Sequence, residues 1–343
     1  MKTKNQLLIR TVSINFGRLI LFFFTIVLFT LSSCSPNEEL RTQSESNLML
    51  NRITEPGTPE LLASLPSGGM GSAIGPEGDL FVTQSGAGGS ILRINKKTGS
   101  ITTFVSRLPT SVVPIGGVFD VTFIDETTYA LVTLVGPFFG DNNINGIYRI
   151  DSSDSCTIIA DIGQFALDNQ PTGFDYAITT GLQYAIEVYH GGFLVTDGHH
   201  NRMYHVTLEG EVTEFKTFDN IVPSGLAVRG NSIYMTEAGT TVQFYGNSKI
   251  VSIDSKSLSI SDVATGVPFL VDVEFNRGRT LFAISQGEWA GGADGDATEP
   301  NTGSLLKVNS DGTFTVIAEG LNRPTSLEFI QNTAYLVTLT GEI

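Results

Sequence analysis

A four-residue apolar signature recurs six times in this chain, and few folds accommodate such a repeat. It reads LFVT at 80–83, ALVT at 130–133, FLVT at 193–196, IYMT at 233–236, FAIS at 282–285 and YLVT at 335–338. The copies stand roughly 40 to 60 residues apart, the period of four-stranded propeller blades. A second series follows it: ILRI at 91–94, IYRI at 147–150, MYHV at 203–206, KIVSI at 249–253 and LLKV at 305–308. In the fullest unit, 224–264, four apolar runs of strand length are divided by Gly, Asn, Asp and Ser, and none has helical spacing. One four-stranded sheet cannot bury both of its faces alone, so it needs copies on either side. The pattern predicts an all-β fold, a six-bladed β-propeller of four-stranded blades.

The two ends of the repeat array suggest how the ring closes. The last unit stops at 341–343, the start of its third strand. Residues 58–65 precede the first unit and match 314–321 in position and character. They are expected to supply the outer strand of the last blade, pairing an otherwise bare edge.

Ahead of the repeats lies a segment of another kind. Lys2, Lys4, Arg10 and Arg18 precede an apolar run over 19–31 and then Ser32, Ser33 and Cys34. A basic start, a short apolar core and small residues describe a secretory signal, shorter than a comfortable membrane span. Residues 31–34, LSSC, resemble a bacterial lipobox, which implies cleavage before Cys34 and acylation of its thiol. The expected organisation is a cleaved lipoprotein signal peptide over 1–33, a lipidated Cys with a flexible tether over 34–57, and the propeller over 58–343. A retained N-terminal anchor helix is the other reading. Either places the domain outside the cytoplasm, held at a membrane; the lipoprotein reading makes it lipid-anchored to the cell envelope (outer membrane, periplasmic or surface side), with membrane and leaflet left open. The bilayer is then a partner through acylated Cys34.

Charge narrows the other partners. Removing the signal takes away four of the 20 Lys and Arg and none of the 35 Asp and Glu, leaving 16 against 35, a net charge of −19. Such a chain repels nucleic acid, and none is expected to bind. With Cys34 acylated, Cys156 is the remaining cysteine, so no intrachain disulfide forms. The chain is expected to be a monomer.

Loop lengths point to a working face. In an up-and-down blade, the turns between strands one and two and between three and four share one face. The remaining turns and the links between blades share the other. The first set is short, as at 75–79, 96–99, 229–231 and 310–312. The second holds the long insertions 136–145, 240–247 and 287–303 and the links 106–117 and 163–181. Long loops on one rim mark binding or catalysis. A small-molecule or protein ligand is expected there.

Units that begin PSGLAV at 223–228 and PTSLEF at 324–329, each followed by the signature strand, resemble NHL-type propellers. The arrangement from about 62 to 343 more closely resembles the ScyD/ScyE family, through DGHHNRM at 197–203, GSLLKV at 303–308 and GLNRPT at 320–325. The resemblance implies a propeller fold and an exported location. Leu134 and Leu339 depart from it, standing where the motif often carries an acidic or amide residue.

Candidate chemistry lies just after the second strands, where Gln84, Leu134, Asp197, Glu237, Gln286 and Leu339 are equivalent. On this reading Gln84, Asp197, Glu237 and Gln286 converge at the mouth of the central channel, joined by His199, His200 and Trp289 as ligand-binding residues. Oxygen ligands from Asp197 and Glu237, or from Asp294 and Asp296 in the fifth-unit loop, suit a Ca2+ ion. No cofactor is otherwise indicated. The plainer reading is that these groups accept backbone hydrogen bonds in turns. His190, His199, His200 and His205 all belong to the third unit, without a zinc-like spacing. Glu187, Glu274 and Glu328, with Asp120 and Asp272, form a second set beside the channel.

Two functions follow. The first is a non-enzymatic envelope lipoprotein that binds its partner through the loop-rich face. The alternative is a metal-dependent lactonase, hydrolase or lyase at the channel mouth, resembling sugar-lactonase and streptogramin-lyase propellers. The first is preferred because no catalytic constellation can be assembled from the sequence.

Overall fold

In the computed structural model the described residues are 57–240, 248–289, 291 and 297–343. The signal segment, Cys34 and its tether, and Asp294 and Asp296 lie outside them.

The repeats fold as expected into consecutive antiparallel meanders. The first sheet holds β1 (Ser72–Ile74), β2 (Leu80–Gln84), β3 (Ser90–Ile94) and β4 (Ile101–Val105). The second holds β5 (Gly117–Ile124), β6 (Thr127–Thr133), β7 (Gly146–Ser152) and β8 (Ser155–Asp161), followed by helix α1 (Ile162–Asp168). β9 (Gln183–Tyr189), β10 (Gly192–Asp197), β11 (Arg202–Val206) and β12 (Val212–Thr217) form the third. β13 (Pro223–Arg229), β14 (Ser232–Glu237), β15 (Lys249–Asp254) and β16 (Ile260–Thr265) form the fourth. The fifth contains β17 (Leu270–Phe275), β18 (Leu281–Ser285), β19 (Gly303–Val308) and β20 (Phe314–Leu321). All five are four-stranded, with strands in sequence order. The fold is an all-β propeller.

The sixth unit departs from the four-stranded expectation. It is a two-stranded sheet of β21 (Pro324–Ile330) and β22 (Thr333–Thr338). After β22 the chain turns back at once: the Gly341 N–H donates to Thr338 O and the Thr338 N–H to Glu342 O. Residues 62–65 run beside this tail. Leu62 and Ala63 N–H donate to Ile343 O, Ile343 N–H to Ala63 O and Leu65 N–H to Gly341 O, at 2.7 to 3.2 Å.

The signature runs are apolar throughout because the sheets stack on both of their faces. Side chains alternate between the two faces of a strand, so Ala130 and Val132 point toward the first sheet while Leu131 points toward the third. The same alternation builds a cluster between every pair of neighbouring sheets. Leu194, Met203, Leu226 and Met235 join the third to the fourth, and Ala227, Ile250, Val273 and Leu306 join the fourth to the fifth. Val271, Ile284 and Leu327 join the fifth to the sixth. Leu80, Val82 and Val337 pack with Ala63, Leu65 and Ile343, bringing the last sheet against the first. β1, β5, β9, β13, β17 and β21 touch in succession, and β21 touches β1. These six strands surround the axis.

Candidate functional site

The third sheet carries the densest polar network. Asp197 ends β10, and the chain doubles back through 198–201 with Asn201 at positive φ. An aspartate opening such a turn caps its amides, and Asp197 Oδ1 accepts from His199 N–H at 3.1 Å and His200 N–H at 3.0 Å. It also accepts from Leu182 N–H at 3.0 Å, while Oδ2 accepts from Tyr204 Oη at 2.8 Å and Gln183 Nε2 at 3.2 Å. With five donors and no exposed surface, this carboxylate fastens the long link before β9 onto the sheet.

Arg202 and His200 complete the network. Arg202 Nε donates to Tyr204 Oη at 2.8 Å and Nη2 faces His200 Nδ1 at 3.1 Å. Because a guanidinium only donates, His200 keeps its lone pair on Nδ1 and donates from Nε2 to Ile178 O at 3.0 Å. Burial lowers the His200 pKa against the pull of Asp197, so the ring is neutral near pH 7. Tyr204 is pushed up by burial and then by Asp197. His199 Nε2 accepts the Ala177 and Ile178 amides at 3.0 and 2.9 Å. Both histidines therefore anchor the link.

The other expected site residues do not converge with this group. Gln84 and Glu237 end second strands, Gln286 follows one and Trp289 lies in the loop beyond; those strands lie one place out from the axis, behind the first strands. Gln84 bridges Ser67 and Ser90 at 2.6 and 2.7 Å. Glu237 is buried, 3.8 Å from Lys249 Nζ, and burial raises its pKa to about 7 against the pull of Lys249. Gln286 is held by its backbone, its N–H on Phe269 O and its O accepting from Thr298. Trp289 is half-buried. Among the described residues no three His, Cys, Asp or Glu side chains assemble into a metal-ligand set.

The axis is lined by the second expected set. Asp120, Glu187, Asp272, Glu274 and Glu328 come from first strands, keep part of their surface open to the channel, and are otherwise enclosed by protein. Burial raises Asp120 to about 8, Asp272 to about 7 and Glu274 to about 8. Glu187 and Glu328 are pushed well up, by burial first and then by the other carboxylates. Tyr184 lies across the axis, packed against both the third–fourth and the fifth–sixth clusters, with Phe119 edge-on at 5.2 Å.

Two cavities are walled in part by long links and insertions. One, of about 420 Å³, is lined by the link residues Arg107 and Thr110, the loop residues Asn142 and Ile144, and Cys156. The other, of about 620 Å³, lies between the link after α1 and the outer strand β12, with Asn169, Thr172, Phe174, Arg202, Glu214 and Asp219 among its walls. The second could not be read from the chain, because its walls come from a link, 169–174, and from Arg202 to Asn220 in and after the strands that follow it.

A propeller with a loop-built face describes this class of molecule. No protein-family model matches the chain, and no curated protein matches it. Among solved structures it is similar to a gluconolactonase from Xanthomonas campestris at 12% identity, covering 82% of this chain and 86% of that one, with a TM-score of 0.57. A PQQ-bound aldose sugar dehydrogenase from Streptomyces coelicolor matches at 14% identity over 82% and 90%, TM-score 0.55. A chain of a nidogen/laminin complex matches at 16% identity over 75% and 84%, TM-score 0.52. At such identities the likeness shows a shared fold, one that serves both enzymes and a protein complex.

Proposed function

We propose that this chain is a ligand-binding propeller, tethered to the cell envelope by acylated Cys34, that recognises its partner through the long-loop face. The observation that carries this reading is that long links and insertions wall two cavities over a rigid stack of sheets. The envelope location is supported by the basic-then-apolar start, the LSSC motif and the acidic remainder. Acyl-chain labelling that disappears in Cys34→Ser is the expected result. On the same reading, 58–65 and 341–343 complete a sixth blade around β21 and β22, and the ScyD/ScyE resemblance reflects common repeat residues.

The metal-dependent alternative requires Asp197 and Glu237 to share an ion, but Asp197 already accepts five hydrogen bonds. Hydrogen-exchange mapping of the full chain with envelope extract tests the binding reading. Protection confined to 106–117, 136–145 and 163–181 is expected. Protection of the short-turn face, or none, would overturn it, as would a tightly held ion that Asp197→Ala releases together with lactone hydrolysis.

A further inference from the structure

The larger cleft, about 620 Å³, falls inside the range of small-ligand sites, about 300–1,000 Å³. At its base the Arg202 guanidinium, whose side chain is 2% exposed, meets the Glu214 carboxylate at 3.4 Å. Four of the five Arg202 N–H donors are placed, on Tyr204 Oη, Asn169 O, Glu214 Oε2 and His200 Nδ1. The fifth, on Nη2, has no partner among the described residues. Glu214 accepts from Thr217 on its other oxygen and is 46% exposed, so it retains free lone pairs. Asn169 and Thr172 add an amide and a hydroxyl, and Phe174 adds an aromatic ring.

This combination selects by charge. A guanidinium and a carboxylate 3.4 Å apart confront a ligand of either sign with a like charge at ion-pair distance. A neutral hydroxyl both donates and accepts. Two neighbouring hydroxyls therefore satisfy the spare Arg202 N–H and the Glu214 lone pairs together, while the apolar C–H face of a sugar ring covers Phe174. We infer that this cleft binds a neutral saccharide, with vicinal hydroxyls on Arg202 and Glu214 and a ring against Phe174. The inference rests on the ligand-binding reading above and adds a place and a chemical class to it.

Calorimetric titration tests it, using the full mature chain in a polyoxyethylene detergent that carries no sugar. The ligands are maltotriose, cellotriose, laminaritriose, xylotriose, mannotriose and triacetylchitotriose. At least one is expected to bind saturably, with affinity falling tenfold or more in Glu214→Gln and in Phe174→Ala and unchanged in Lys97→Ala, exposed in a short turn on the opposite face. Matching melting curves establish that the variants fold, which is expected because both side chains sit at the surface of the link and outer strand. Failure of all six to bind, equal binding by both cleft variants, or stronger binding of trigalacturonate or spermidine would overturn the inference. If no trisaccharide binds but the long-loop face is still protected by envelope extract, the saccharide assignment alone falls. Loss of both results removes the ligand-binding reading as well.

Discussion

Asp272 on β17 accepts the amide hydrogen of Leu327 on β21 at 2.8 Å, a carboxylate clamp from the fifth sheet to the sixth. Three sheets away, Asp120 repeats it on the Ile186 amide at 2.9 Å. Each clamp packs against a glycine of the preceding sheet, Gly225 within β13 and Gly71 immediately before β1. A Cβ on Gly71 would lie 2.1 Å from Asp120 Oδ1, and one on Gly225 would lie 2.4 Å from Asp272 Oδ1.

The glycines are therefore required by close approach. Gly225→Ala must displace the Asp272 carboxylate or its backbone, at a cost of about 1–3 kcal/mol as for other overpacked sites. Thermal melting should show a drop of about 3–10 °C for a domain of this size. Gly230→Ala, at a turn with open space around it, tests only positive φ and should cost less.

Stability should fall as pH rises above neutrality. Asp120, Asp272 and Glu274 titrate at about 8, about 7 and about 8 in the fold, and near 4 when unfolded. The native chain thus holds extra protons between about pH 4 and about pH 8, and loses stability as pH climbs through that window. His200, lowered by burial, works in the opposite direction, but only up to about pH 6.5. Calorimetry at pH 6.5 and 8.5 should show a melting temperature lower by about 5 °C or more at the higher pH. Glu274→Gln should raise the melt at pH 8.5 and flatten the slope, and a slope identical to wild type would refute the assignment.

Asp197→Ala should behave as a broken scaffold rather than a lost ligand site. It leaves Tyr204 and the Leu182, His199 and His200 amides without an acceptor beside buried Arg202. Removing one member of a buried charge network costs about 3–5 kcal/mol. Limited proteolysis should cut the 169–181 link faster, while chelator leaves the wild-type melt unchanged.

Deleting 58–65 removes Ala63 and Leu65 from the cluster between the last and first sheets, and with them four backbone bonds to the tail. A melting temperature lower by about 10 °C or more is expected. An unaltered melt would exclude this segment from ring closure.

Much of this was legible in the chain itself. Runs such as 80–83 and 193–196 are buried on both faces, so their apolar continuity is a direct imprint of stacking. The glutamates at 187, 274 and 328 could be aligned because first strands repeat. Sequence also places Asp197 at a strand end, but its five donors come from three segments whose approach only the folded chain defines. The 620 Å³ cleft was hidden for the same reason, since Phe174 and Glu214 meet across a link with no repeat. The two-stranded sixth sheet is followed by a turn over 338–342, which no periodicity encodes.

Tyr184 lies nearer the long-loop end of β9 than Glu187, and it packs across the axis. Tyr184 thus stands between the axial acids and the long-loop end of the axis. A molecule approaching from the long-loop face therefore meets an aromatic ring before it meets an acid.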